Sequence, residues 1–275
     1  MNNTVKRSVS GVVFIAMMLC GLLFSPYLFA ALVILMTVVM LREFYRITMG
    51  DRFLHSQWLA IFTGVVLFLL VFLVAGFGLP YKFITIGFLP VIAIMASSLY
   101  VKDKDEFGLF SHIYTGLLYI AFPLALSNLV AFRHGEFSGT LLLGFFIIIW
   151  ASDVGAYIFG MSLGQRYGKK LFPSISPKKS WIGAVGGMIT AVLASVILKL
   201  TGIFTFPMVH CIILAIIMDV AGVYGDLFES QWKRCYDVKD SGNIIPGHGG
   251  FLDRFDSTLM AFPMGALYLV LTGLL

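Results

Sequence analysis

Charge is scarce in this 275-residue chain: Asp, Glu, Lys and Arg together make up 12% of it, about half the share usual in a soluble domain. Cysteine is scarce as well. Cys20, Cys211 and Cys235 show no paired spacing, and two of them sit inside apolar runs, which argues against a disulfide framework or a zinc site. The alternation of a membrane β-barrel is missing too; the run LLLGFFIIIW is apolar on every face. No Walker A sequence and no G-x-G-x-x-G leading into a helix occurs. No Ser, His and Asp are placed to suggest a hydrolytic triad, so acyl transfer fits poorly. What is abundant is apolar residue: 59% of the chain, with a mean hydropathy of +0.95. Runs long enough to span a bilayer recur from end to end, so the expected fold class is an all-α polytopic membrane protein.

About nine spans are expected, at roughly 9–24, 27–44, 57–77, 81–100, 112–132, 138–160, 181–201, 206–227 and 257–275. The first two meet at a tight Ser25-Pro26 turn. Lys6-Arg7 before an apolar run resembles a signal peptide, but no A-x-A-like cleavage site follows, and an uncleaved first helix is the better reading. Orientation follows the basic residues. With the N-terminus in the cytoplasm, only Lys82, Arg133 and Lys199 of the 19 Lys and Arg residues fall outside. The basic excess therefore reads as topogenic charge, and no nucleic-acid partner is expected. The chain reads as one integral membrane unit: residues 1–135 hold spans one to five, and 136–275 hold spans six to nine with cytoplasmic loops 161–180 and 228–256.

Ionisable groups at membrane depth are costly and are functional candidates. Asp153 lies toward the cytoplasmic end of span six. Asp219 and Asp226 lie on span eight, seven residues and so about two turns apart on one side. Glycines and alanines surround these acids and suit close helix packing.

The two loops differ in charge. In 161–180, Arg166, Lys169, Lys170, Lys178 and Lys179 have no acid among them. The compact SPKKS (Ser176, Lys178, Lys179, Ser180) suits a polyanion such as a nucleotide phosphate chain; topogenic charge against anionic headgroups is the alternative. Six of the chain's 14 acidic residues, Asp226, Glu229, Asp237, Asp240, Asp253 and Asp256, lie between Gly225 and Asp256 beside Lys233, Arg234, Lys239, His248 and Arg254. Glu229 and Lys233, at i,i+4, suit a helix-surface pair. Asp253 and Asp256, at i,i+3, are expected on one face entering span nine. Pro246, Gly247, Gly249 and Gly250 permit a close-approaching backbone. Clustered carboxylates near lysines suit Mg²⁺, which completes its shell with water and substrate phosphate. Metal, basic loop and carboxylates together indicate phosphoryl or nucleotidyl transfer.

The stretch SQWKRCYDVKDSGNIIPGHGGFLDRFD, Ser230 to Asp256, resembles the signature of phosphatidate cytidylyltransferases. GDLFES, WASDVGAYIFG and SPKKS resemble family segments in the expected order, and Arg7 and Glu43 stand in family positions. Two departures are visible: Ile182 replaces a usual Glu, whose role cannot be carried over, and Trp232 is bulkier than the usual aliphatic residue. The resemblance implies transfer of a cytidylyl group from CTP to phosphatidate in the bilayer, in phospholipid biosynthesis, with Mg²⁺ held by Asp226 and Asp253 and K⁺ as a candidate second ion. Asp256 would be a ligand or stand behind one, and Lys178, Lys179, Lys233, Arg234 and Lys239 would neutralise phosphates. Gly247, His248 and Gly249 would approach the phosphate chain, while Arg254 would bind substrate or pair with an acid. A homodimer and a bacterial inner-membrane location with a cytoplasmic site are further implications. The alternatives are a CTP-dependent polyprenol-kinase-like enzyme, which would release CDP, and a transporter relaying cations through Asp153 and Asp219.

Overall fold

The computed structural model describes residues 3–133, 135–245, 247 and 249–275, without the side chains of 3–8, 104 and 105. His248, expected at the site, lies outside the described residues. The chain is almost wholly helical: α1 (Asn3–Leu23), α2 (Pro26–Met49), α3 (Leu54–Phe77), a 3₁₀ segment (Tyr81–Gly87) running into α4 (Phe88–Ser98), α5 (Lys104–Gly108), α6 (Phe110–Gly116), a π-helical turn (Leu117–Ala121), α7 (Phe122–Ala131), α8 (Gly139–Phe159), a second π-turn (Gly160–Gly164), α9 (Gln165–Tyr167), α10 (Trp181–Leu200), α11 (Met208–Cys235) and α12 (Asp256–Leu271). Two short hairpins complete it, β1 (Phe132–Arg133) with β2 (Glu136–Phe137) and β3 (Lys170–Phe172) with β4 (Ser176–Ser180).

Among the described residues, seven helical stretches are long and apolar enough to cross a membrane; Val9–Leu23 and Asp256–Leu271 are shorter apolar helices. The helices overrun two expected loops. The sixth span continues through its π-turn to Tyr167, and α11 runs on to Cys235. Glu229, Lys233 and Arg234 are therefore helical residues; Glu229 is buried there and pairs with Lys233 one turn on, so the charges are met inside the helix where hydropathy falls.

Local chemistry sets the breaks. Ser25 accepts from the Tyr27 N–H at 3.2 Å and Pro26 opens α2, the arrangement in which a missing N–H costs nothing. Pro123 lies inside an otherwise continuous stretch. A proline ring clashes with the carbonyl four residues back, and the π-turn just before it absorbs the misfit.

The chain forms two compact units. One unit holds Met1–Ser138 and also Tyr236–Arg254; the other holds Gly139–Cys235 and Phe255–Leu275. In the first, α3 packs against α2, α4 and α7. Gly64 sits where a Cβ would meet Ala121 and Leu41 at 3.0 Å, so a larger residue would hold these helices apart. Phe29, Phe68, Phe72, Phe132 and Phe137 form a chain of ring contacts. The second unit is built on α8 against α10 and α11 against α12. A Cβ on Gly155 would meet Thr190 and the Gly186 carbonyl, and one on Gly187 the Ser152 carbonyl at 3.0 Å. Thr190 Oγ1 donates across to the Ala151 carbonyl at 2.8 Å, so small residues let backbone and hydroxyl meet between the helices.

Gly155→Val should therefore force α8 from α10, costing about 1–3 kcal/mol. The check is a lowered midpoint of thermal unfolding in detergent, with Tyr157→Phe, exposed on the same helix, as the comparison.

Candidate functional site

In the second unit, α11 carries the acids. Asp219 is buried and accepts from the Ser152 hydroxyl at 2.5 Å, a polar tie between α8 and α11. Two turns on, Asp226 Oδ2 meets the Lys179 ammonium at 2.6 Å and its Oδ1 accepts from Ser230 at 3.2 Å. This brings the SPKKS segment and span eight together. Asp256 opens α12, accepts from the Ser257 N–H at 2.6 Å, and has Asp226, Glu229 and Asp153 as electrostatic neighbours. The approach of α12 is close: a Cβ on Gly225 would stand 2.5 Å from the Asp256 carbonyl oxygen.

Lys233 and Glu229 differ from expectation. They do form an i,i+4 pair, at 2.7 Å, but with side chains only 12% and 2% exposed the pair is interior rather than a surface contact. Lys233 is thus committed to a carboxylate. Arg234 Nε donates to the Ile175 carbonyl at 3.5 Å, reaching the turn of the basic hairpin.

That hairpin is an ordered element. Lys170 pairs with Ser180 and Phe172 with Ser176. Gln165, which sequence reasoning passed over, clamps it: its amide donates to the Lys178 carbonyl at 2.6 Å and its oxygen accepts from Lys170 Nζ at 2.7 Å. Ser180 is buried and caps α10 by accepting from the Gly183 N–H at 3.2 Å. Lys178 is exposed, Ser176 half-buried, and Asp153 exposed on α8. The sequence GMSLG at 160–164 spells a hydrolase elbow, yet Ser162 lies in a π-turn and donates to the Ile158 carbonyl at 2.7 Å. An elbow needs a strand-to-helix turn, so the spelling carries no nucleophile.

In the first unit, the segment 236–254 folds around an open cavity of 560 Å³ lined by Lys239, Asp240, Gly242, Asn243, Ile245, Gly247, Gly249 and Arg254. The Ile245 N–H donates to the Gly249 carbonyl at 3.1 Å, closing the turn. Gly247 (φ 79°) and Gly249 (φ 85°) occupy left-handed backbone that only glycine adopts freely. Asp253 lies in a 3₁₀ turn (Leu252–Arg254) rather than on the helix that begins at Asp256. The expected shared helical face does not form, because the turn carries the chain into α12. Asp253 Oδ2 accepts from the Ser241 and Gly250 N–H groups, each at 2.8 Å. Tyr236 and His112 share a 2.5 Å hydrogen bond.

A further acid enters this network from α2. Glu43, only 4% exposed, accepts from the Phe251 N–H (3.0 Å), the Leu252 N–H (2.8 Å) and the Ser241 hydroxyl (3.1 Å). Sequence reading gave it a family position but no role. A carboxylate in an apolar span was the available signal.

Among the described residues no three His, Cys, Asp or Glu side chains gather into a metal-holding group. The donor chemistry nevertheless suits Mg²⁺, which takes one or two carboxylates and leaves its other positions to water and phosphate. Asp253 is held by two N–H groups on one oxygen, and Asp226 already faces a cation in Lys179. The two carboxylates belong to different units.

Residues 5–272 match the model of the cytidylyltransferase family. A phosphatidate cytidylyltransferase of Haemophilus influenzae is 34% identical over 94% of this chain and 96% of its own length. One of Bacillus subtilis is 38% identical over 65% of this chain and 62% of its own length. For one of Staphylococcus saprophyticus the figures are 42%, 46% and 47%, so the match spans about half of that relative.

Replacing Lys233 by Met should leave Glu229 as a buried charge and destabilise the protein by about 3–5 kcal/mol. Adding Glu229→Gln should recover most of that loss in detergent unfolding midpoints. Lys233 acting on substrate alone predicts no change in midpoint.

Proposed function

The chain belongs to the cytidylyltransferase family, and from that premise we propose that it is a phosphatidate cytidylyltransferase: CTP and phosphatidate give CDP-diacylglycerol and pyrophosphate. The observation that carries the reading is the 236–254 segment. It surrounds a cavity with two cations, Lys239 and Arg254, and with glycine backbone, while Asp253 is fixed beside Gly249. Cations beside a close-approaching glycine backbone suit a phosphate chain.

In this mechanism a phosphate oxygen of phosphatidate attacks the α-phosphorus of CTP. The bond from that phosphorus to the oxygen bridging to the β-phosphate breaks, and pyrophosphate leaves with the electron pair. Lys239 and Arg254 hold phosphate charge in the cavity. Lys178 offers a further exposed ammonium, and Lys179 exchanges its hold on Asp226 for substrate phosphate. Asp226 and Asp253 are each a candidate carboxylate for Mg²⁺, which would supply charge neutralisation on the transferred group; K⁺ is a candidate for a second position. A phosphate monoester dianion is already a nucleophile, so no general base is assigned. Asp256 stands behind Asp226 rather than on substrate.

The remaining features of the reading are a cytoplasmic site at headgroup level in a bacterial inner membrane, with lipid entering sideways, and a homodimeric assembly. Supplying labelled CTP separates this reaction from its nearest rival, since a polyprenol-kinase-like enzyme would release CDP.

Purified protein given phosphatidate, CTP and Mg²⁺ should form CDP-diacylglycerol and pyrophosphate. Asp226→Asn and Asp253→Asn should each lower the rate by at least about 100-fold while still inserting and folding. Near-normal activity in both would remove the metal assignment.

A further inference from the structure

We propose that Glu43 is a positioning residue for the transfer reaction, acting from the second helix through Ser241 on Asp253. The inference rests on the reading of Asp253 given above, and its geometry lies wholly within the first unit. Glu43 Oε2 accepts from the Ser241 hydroxyl at 3.1 Å and the Leu252 N–H at 2.8 Å, and Oε1 accepts from the Phe251 N–H at 3.0 Å. The Ser241 hydroxyl in turn accepts from the Asp253 N–H at 3.3 Å, and the Ser241 N–H donates to Asp253 Oδ2 at 2.8 Å. Ser241 is therefore tied to Glu43 by its side chain and to Asp253 by two bonds, one through each of its polar groups.

Two glycines are needed for this closure. A Cβ on Gly242 would stand 2.5 Å from Glu43 Oε1, and one on Gly250 would stand 2.8 Å from Oε2 and run into the Ser241 hydroxyl. The backbone thus wraps the carboxylate at a distance no other residue permits. Glu43 and Ser241 are both buried. Donors removed from water need their acceptor, so the carboxylate fixes where 241 and 250–252 lie. Asp253, half-buried, takes its direction from the two N–H groups so placed. Glu43 touches no reacting atom; it orients a group that does, as outer partners of metal-binding carboxylates do.

Glu43→Gln is the test. The amide keeps one acceptor oxygen and turns an NH₂ toward a backbone donor. We expect kcat to fall about 10–100-fold, with KM for CTP and phosphatidate within about twofold of wild type. Glu43→Asp, retaining both acceptor oxygens on a shorter arm, should recover part of the loss. In metal-free protein, amide hydrogen exchange should rise at Ser241 and Gly250, which Glu43 does not itself bind through those amides, as well as at Phe251 and Leu252. Wild-type kcat in Glu43→Gln, or a lowered kcat with unchanged exchange at Ser241 and Gly250, would overturn the proposal. If that variant does not fold, Ser241→Ala removes only the hydroxyl bridge. It should lower kcat while Phe251 and Leu252 stay protected, and an unchanged kcat would count against the proposal. If the wild-type protein itself makes no CDP-diacylglycerol, the assigned reaction fails, and the exchange pattern alone decides whether Glu43 orders Asp253.

Discussion

One buried carboxylate organises the first unit. Glu43 enters from an apolar helix and gathers two backbone N–H groups and a hydroxyl from a segment about two hundred residues further along the chain. Without an acceptor there, the 241–252 backbone would carry donors shut off from water, each at a cost of roughly 1–3 kcal/mol. The need for glycine at 242 and 250 and the direction of Asp253 follow from a backbone held at that point. The aromatic and aliphatic packing of α2, α3 and α7 then has a second consequence: it sets the depth and angle at which Glu43 is presented.

The second unit meets a similar problem by different means. Two of its acids are neutralised in ion pairs, Asp226 with Lys179 and Glu229 with Lys233. Small residues on α8 and α10 bring the helices close enough for Thr190 and Ser152 to reach neighbouring helices. The basic hairpin is stiffened by Gln165 and by the Ser180 cap. An ordered hairpin loses less entropy on meeting a polyanion than a free loop would.

Hydropathy made the membrane class and the positions of most helices legible, because a span must be apolar along about twenty residues. It misjudged where helices end. At α11 the expected loop began at residue 228, yet Glu229 and Lys233, whose spacing already suited a helical pair, continue the helix and neutralise each other in its interior rather than on its surface. The signature acids stood out in the sequence as one segment; the structure divides them between the two units, with Lys179 of the basic hairpin paired to Asp226. What pattern could not supply was pairing across long separations. Glu43 stood in a family position near the end of a span, with no role attached to it. Nothing in local spacing announces that its donors lie beyond residue 240. Gln165 was invisible for a different reason: a neutral amide leaves no trace in charge or periodicity.

The separation between Glu43 and its donors also orders events in time. Ser241, Phe251 and Leu252 follow it by 198, 208 and 209 residues. At synthesis rates of about 5–20 residues per second, the second helix exists for some 10–40 seconds before any of these three donors has been made. During that interval the carboxylate must find temporary partners, in water or among headgroups at the membrane boundary. The 241–252 backbone cannot settle against Glu43 until residues beyond 250 have left the ribosome. A nascent or prematurely ended chain would hold its helices in the bilayer with this acid still waiting, in a form that quality-control machinery can tell from the finished protein.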